Sequence, residues 1–267
     1  MTTGWFRPLA VTRIGPSPEA VFAVDSDSLF FDGHFPGQPV LPGIAMLAMV
    51  RAVAQRMSRG TPVPTGFRRV RFRSLVEGAA TCSVGLGAAG ESAGLPFEVK
   101  AGDQVAADGL LATAFCGAVF LPSFDERAVA VADPIESFLP HRGRMRVAQR
   151  IARVQSGLCE VEAEVLPSCP LVSEDRADSV VLLELLAQTA AAMTGWEERE
   201  TPGGGGRGFL VGSRFFTTLH PTVPVGTICR SIVASLRQRD NYRVFQGQVA
   251  GPDGSVLAEG ELQAFRP

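Results

Sequence analysis

With 267 residues the chain suits one large domain or two of ordinary size, and its 46% hydrophobic content can fill a sizeable core. A formal net charge of −2 argues against a general nucleic-acid binder. No basic-plus-apolar leader is visible and no apolar run reaches membrane-spanning length, so a cytoplasmic protein without a membrane span is expected.

Of the 25 basic residues only Lys100 is a lysine, a bias that reflects base composition more readily than function. The cysteines, Cys82, Cys116, Cys159, Cys169 and Cys229, are odd in number, scattered, and form no CxxC pair. They read as reduced, mostly buried thiols; no metal, cofactor or disulfide framework is implied.

In chain order, residues 8–31 read as an opening strand pair, with Val21, Phe22, Ala23 and Val24 compatible with alternation. Residues 30–58 then place His34 in a Gly/Pro loop that runs into a long apolar helix. Pro42 suits the first helical turn, since its missing N–H and fixed φ cost nothing there. Gly43 beside it leaves its N–H uncovered at the positive end of the helix dipole. Residues 44–53 are apolar on nearly every face, broken mainly by Arg51, so this helix must be wrapped by other structure. A Gly/Pro-rich connection leads to β-type runs at 67–72, 81–86 and 110–120. Proline and charge in 121–136 interrupt the pattern, which places a linker at 123–135 between units of residues 1–122 and 136–267.

After the linker the plan repeats. FLPHRGRMRV leads into a strand over 154–165, whose alternation shows in Cys159, Val161, Ala163 and Val165. Asp178 is a candidate N-cap for a helix over 179–194. GGGG at 203–206 follows, then GFLVGSRFF and strand runs at 228–236, 242–249 and 256–265. Two buried helices about 135 residues apart, each followed by a meander, indicate a duplication of organisation with little shared identity.

The run FFDGHFPGQPVLPG resembles the motif of the hotdog-fold 3-hydroxyacyl-acyl-carrier-protein dehydratases, in which GHFPxxPxxPG delivers the catalytic histidine and then the central helix. Gly33, His34, Phe35, Pro36, Pro39, Pro42 and Gly43 stand at matching positions. Where the family carries a carboxylate and, four residues on, a glutamine, this helix has Ala48 and Ala52. The second half is similar to a dehydratase-like hotdog subunit of aryl polyene biosynthesis, through LPHRGRM, LLELLAQTAAAMTGW and the closing β run. Those subunits work beside a separate hotdog partner that offers the GHFP histidine. The resemblance implies an α+β double hotdog, two such subunits joined end to end, each a long helix wrapped by antiparallel sheet.

The second helix carries Glu184 among Val180, Val181, Leu182, Leu183, Leu185 and Leu186. A carboxylate in such surroundings needs a partner or stays protonated. Gln188, one turn on along the same face, can hold it, and the family pattern has the same Glu and Gln pair. Fourteen or fifteen residues before Glu184 stand Pro170 and Cys169, so this half lacks the histidine. In the family's homodimers each site takes its histidine from one subunit and its carboxylate from the other. The resemblance therefore implies one composite site of His34 and Glu184, with a dead opposite site where Cys169 or Pro170 faces Ala48.

In that site His34 would take the C2 proton and a neutral Glu184 would protonate the departing C3 hydroxyl. The Gly43 N–H would hold the thioester oxygen, with Gln188, Phe35 and Pro36 in support. The expected reaction converts a 3-hydroxyacyl chain to a trans-2-enoyl chain on the phosphopantetheine of an acyl carrier protein, in polyene or specialised fatty-acid synthesis. Assembly of the fused pair into a homo-oligomer is compatible with the family.

Each residue has a plainer reading. His34 could be a structural loop histidine, and Glu184 a carboxylate reaching a solvent-filled groove or an arginine. His141, in LPHR, reads first as a capping or packing residue near the channel mouth and second as a direct participant. His220 reads as a surface residue, the glycine run as a hairpin rather than a phosphate cradle, and Cys169 as a passive core thiol. Arg69, Arg71 and Arg73 share one strand face by the period of two, either as a solvated face or as a docking patch for the acidic carrier. A hotdog thioesterase, with Glu184 directing water at the thioester, and a non-catalytic partner of a synthase complex are the competing functions; the GHFP histidine favours dehydration.

Overall fold

The computed structural model describes residues 5–13, 19–35, 37–58, 62–88, 94–112, 119–199 and 208–267. Pro36, Cys116 and the glycine run at 203–206 lie outside the described residues.

The first half comprises β1 (Arg7–Arg13), β2 (Glu19–Val24), the helix α1 (Gly43–Met57), β3 (Gly66–Phe72), β4 (Ala80–Leu86), β5 (Leu95–Ala101) and β6 (Gln104–Ala112). The second comprises β7 (Arg150–Gln155), β8 (Leu158–Glu164), β9 (Val172–Ser173), β10 (Arg176–Asp178) and α2 (Val181–Glu197). It closes with β11 (Phe209–Thr218), β12 (Thr222–Pro224), β13 (Ile228–Arg239), β14 (Tyr242–Ala250) and β15 (Val256–Phe265). Twelve strands form one sheet in the order β1-β2-β4-β5-β6-β3-β11-β15-β14-β13-β8-β7, while β12, β10 and β9 form a small second sheet. Six strands come from each half, and the halves meet where β3 pairs antiparallel with β11, Phe67 opposite Phe216 and Val70 opposite Ser213. The fold is a double hotdog.

Each helix is buried against its own strands because its sequence leaves it no polar face. α1 packs on β2, β4, β5 and β6, α2 packs on β8, β13, β14 and β15, and the helices touch each other. Ile44, Leu47, Met49 and Val50 of α1 and Leu183, Leu186, Ala192 and Met193 of α2 are fully buried in one common core. No helix among the described residues is long and apolar enough to cross a membrane.

Several details depart from the sequence-based expectations. Of the strand expected over 110–120, residues 110–112 are the last described residues of β6, and 113–118 lie outside the described set. β5 falls in LPFEVKA, where a proline and two charges conceal its alternation. The strand expected over 154–165 is a hairpin, β7 and β8 turning at Gly157 with φ +76. The 123–135 linker is not a free tether: Val129 bridges Val154 of β7, Ile135 is buried, and the Arg153 guanidinium lies 4.3 Å from the Phe124 ring centroid.

The face expected to be shared by Arg69, Arg71 and Arg73 keeps Arg71 and Arg73 but not Arg69. Arg69 has φ +52 and the ladder shifts register between Arg68 and Arg71, a bulge that breaks the period of two. Arg71 Nε donates to Asp108 Oδ1 at 2.7 Å, and Arg73 pairs with the same carboxylate.

Asp178, expected to cap a helix at 179, ends β10 instead. Its Oδ1 accepts the Val180 N–H at 2.9 Å, and α2 begins at Val181. The same oxygen accepts from Arg51 Nη1 of α1 at 2.7 Å, and Arg51 also donates to Ser179 Oγ at 3.0 Å and to the Pro221 carbonyl at 2.9 Å. The charge that interrupts the apolar run of α1 is thus a buried tie between the halves.

Candidate active site

His34 stands in the loop between the short 3-10 turn Leu29–Phe31 and α1. Its Nδ1 lies 2.7 Å from the Val40 carbonyl oxygen. A carbonyl can only accept, so Nδ1 carries the proton and Nε2 keeps a basic lone pair. Phe35 stacks on the imidazole with ring centroids 4.4 Å apart, and the loop closes on itself through Phe35 N–H to Gln38 O at 3.0 Å and Val40 N–H to His34 O at 3.2 Å.

The loop is docked onto the segment that joins the halves. Gly33 accepts from the Arg142 N–H at 3.2 Å and Asp32 from the Met145 N–H at 3.2 Å. Gly33 has φ +100, and a Cβ there would lie 1.8 Å from the Arg142 carbonyl oxygen, so only glycine allows this approach. Gly33→Ala is expected to push the loop away and to lower kcat/KM about 10²-fold through displacement of His34. Steady-state kinetics beside a circular-dichroism spectrum would check this: a wild-type rate would show that the docking does not position His34.

Glu184, in the first turn of α2, is buried, and its Oε1 accepts from Gln188 Nε2 at 2.8 Å. Gln188 in turn accepts the N–H groups of Val147 and Ala148 at 2.9 and 3.0 Å and donates to the Met145 carbonyl at 2.6 Å. Both ends of the amide are therefore occupied, and α2 is stitched to the connecting segment. Burial pushes the Glu184 carboxyl above its ordinary pKa; the His34 charge and the Gln188 amide oppose this without cancelling it.

Sequence reasoning gave His141 a lesser place. It lies inside the site, with Nε2 3.4 Å from Glu184 Oε1 and its ring centroid 5.5 Å from His34 and 5.2 Å from Phe35. Burial first, then the electrostatic influence of His34 and Arg142, lower its pKa from 6.5 to about 3. At neutral pH His141 is uncharged and Glu184 is shifted toward its acid form, so their 3.4 Å approach is not an ion pair, and it is longer than an ordinary hydrogen bond.

A depressed histidine leaves a stability signature. Between pH 6.5 and about 3 the unfolded chain binds a proton at His141 that the folded chain refuses, so folding weakens as pH falls through this window. His141→Leu is expected to flatten the loss by up to about 1.4 kcal/mol per pH unit. Urea unfolding of both proteins across that range tests it; parallel curves would count against a neutral buried His141.

A cavity of about 1040 Å³ contains the site. His34, Gly43, Phe72, His141 and Glu184 line one end, and along α2 it follows Ala187, Ala191 and Gly195 to Glu198. From Glu184 to Glu198 is about 21 Å of helix at 1.5 Å per residue. Gly43 is the first residue of α1, and a Cβ there would come 2.6 Å from the Phe72 ring. Ala48 and Cys169 do not line this cavity. Cys169 Sγ instead accepts the Leu166 N–H at 3.2 Å, and burial pushes its thiol up. His220 is exposed. Donor atoms of His34, His141 and Glu184 lie within 4.8 Å of one another, though a cation there would have to displace the proton that burial favours on Glu184.

Residues 133–267 match the ApeP-like family, described as ApeP dehydratase, and residues 14–110 match the ApeI-like family, described as ApeI dehydratase. A 3-hydroxyacyl-[acyl-carrier-protein] dehydratase FabZ from Shewanella baltica is 39% identical over 74 residues, 24% of this chain and 48% of the relative. The FabZ of Caldicellulosiruptor saccharolyticus is 36% identical over 69 residues, 23% of this chain and 49% of the relative. The chain thus spans about half the length of the curated relatives it matches. Among solved structures, the dehydratase domain of the CurJ module of curacin polyketide synthase superposes with TM-score 0.73 at 13% identity, covering 98% of this chain and 96% of that one. The dehydratase domain of RzxB from Pseudomonas fluorescens gives 0.72 at 16% identity, covering 98% and 97%. Likeness at such low identity speaks to the fold.

Proposed function

Because the chain belongs to the ApeP-like dehydratase family, with an ApeI-like segment ahead of that match, we propose that it dehydrates 3-hydroxyacyl thioesters borne by an acyl carrier protein. One observation carries the reading: the basic nitrogen of His34, from one half, and the carboxyl of Glu184, from the other, open into the same cavity.

The substrate thioester sits with its carbonyl oxygen at the Gly43 N–H, where the α1 dipole and a backbone donor stabilise the enolate, worth roughly 3 kcal/mol. His34 Nε2 removes the C2 proton, and the Val40 carbonyl steadies the imidazolium through Nδ1–H. The C3–O bond breaks as Glu184 delivers its proton to the departing hydroxyl, leaving a trans-2-enoyl thioester and water. Return of the proton from His34 to Glu184 resets the site, and the reverse sequence hydrates an enoyl chain. The acyl chain lies along Ala187 and Ala191, where small side chains leave room for it. The setting we propose is polyene or specialised fatty-acid synthesis, with the carrier protein as partner and a cytoplasmic location. Arg69, the basic residue of the bulge, is the part of the arginine patch best placed for docking, since Arg71 and Arg73 already serve Asp108.

Incubation with a 3-hydroxyacyl carrier protein, followed by intact-mass analysis, tests the assignment. Loss of one water with the acyl group retained supports dehydration. Release of the acyl group would favour the thioesterase reading, and an unchanged carrier would favour a non-catalytic partner.

A further inference from the structure

Among the described residues, the buried side-chain atoms that lack a hydrogen-bond partner are Arg51 Nε, His141 Nδ1 and Thr217 Oγ1. One of the three therefore belongs to a ring in the reaction cavity. A neutral imidazole carries one N–H, and its two placements in His141 differ in cost. With the proton on Nδ1, a buried donor would be orphaned, while Nε2 would face Glu184 Oε1 as an acceptor. With the proton on Nε2, the N–H lies beside Oε1, 3.4 Å away, and only a lone pair is left alone. Orphaned buried N–H groups are the rarer of the two, so the Nε2–H form is favoured.

That tautomer places two donors at Glu184 Oε1, the Gln188 amide in a 2.8 Å hydrogen bond and His141 Nε2–H in a looser 3.4 Å contact. An oxygen that accepts twice is the carbonyl oxygen of a carboxylic acid rather than its hydroxyl. Oε2 has no protein partner among the described residues and is not one of the occluded atoms, so it opens on the cavity that Glu184 lines. We infer that His141 is a positioning residue which, with Gln188, holds the acid proton of Glu184 on Oε2, the oxygen that faces the leaving hydroxyl. This rests on the dehydration reading above.

His141 can do this because its segment is fixed on both sides. The Arg142 guanidinium donates to the Leu139 and His141 carbonyls at 2.7 and 2.8 Å. Gly195 of α2 lets the backbone come close, since a Cβ there would lie 2.1 Å from the Phe138 carbonyl oxygen. The charges that act on the pair are few: His34 bears on both Glu184 and His141, and Arg142 bears on His141.

The test compares His141→Gln with His141→Asn in the full chain, on a 3-hydroxyacyl pantetheine thioester. A glutamine amide nitrogen reaches the Nε2 position; an asparagine amide reaches only Nδ1. The Gln variant should keep kcat within a few-fold of wild type. The Asn variant should lose about 10²-fold in kcat with KM little changed, because the proton is no longer held on the right oxygen. Its alkaline limb of kcat/KM should move to higher pH, since a donor that favours the carboxylate is gone. In infrared spectra, the carbonyl band of the Glu184 acid, identified by its loss in Glu184→Gln, should move up in the Asn variant and stay in the Gln variant, a contrast that needs no turnover. If Gln fails to restore what Asn loses, or if both match wild type, the assignment of His141 is overturned. Should Glu184→Gln itself remain active, the dehydration reading falls instead, whatever position 141 does.

Discussion

His34→Ala is expected to abolish dehydration, and Glu184→Gln to do the same, each by roughly 10²–10⁴ in kcat for loss of a positioned base or acid. Substrate binding should survive, because the cavity walls along α2 are untouched. The double variant should be no worse than either single one, as expected of groups that act as a unit. The telling measurement is a mixture of the two single variants. Subunits that exchange to build a site between chains would recover activity in the mixture. Here base and acid belong to one chain, so no recovery is expected, and recovery would mean that the working site forms between chains. Activity left intact in either single variant would remove that residue from the mechanism.

Arg51→Ala is expected to cost about 3 kcal/mol of stability, the low end for a broken buried pair, because it leaves the half-buried Asp178 carboxylate without its counter-charge. Asp178 is already pushed up by burial, and Arg51 is the charge that opposes this. The substitution also removes one donor from Ser179 Oγ and one from the Pro221 carbonyl, which keep Thr218 Oγ1 at 3.0 Å and the Ser179 N–H at 3.1 Å. Replacing both partners, with Arg51→Met and Asp178→Leu, should recover much of the loss, since paired apolar groups require no desolvation of charge. Urea unfolding of the single and double variants would show the contrast. Neither residue lines the cavity, so molecules that stay folded should turn over normally. A single variant as stable as wild type would mean that the pair is solvated and carries little.

The parts of this protein that were legible in its sequence are those in which chemistry and local geometry coincide. The GHFP loop could be read because a histidine, three prolines and the glycine at a helix start must follow in strict order. Glu184 and Gln188 could be read because an acid among leucines is costly without a purpose, and the amide one turn later supplies a partner. His141 could not be read in the same way. Its segment has almost no regular structure, and its place depends on Gly33 and Gly195 allowing two backbone approaches from distant parts of the chain. Arg51 was visible only as a blemish on an apolar helix, because its partner stands 127 residues later. Arg69 misled because strand alternation assumes a regular ladder, and a bulge is a tertiary fact.

The register between the helices adds a further point. Ala48 and Ala52 correspond to Glu184 and Gln188 at one constant offset, and the same offset sets Arg51 against Ala187. Ala187 walls the cavity, whereas Arg51 at the corresponding position of α1 is bound to Asp178 and Ser179.

The junction of β3 with β11 bears on how such a chain can change over time. Its contacts are main-chain amides and carbonyls, which every residue but proline supplies alike, so the union is largely indifferent to the side chains on either strand. Once tethered, neither half has to recognise a copy of itself. Selection is then free to specialise one for the loop histidine and the other for the helical acid, and the pair inherits a fixed one-to-one ratio without having to find each other by diffusion.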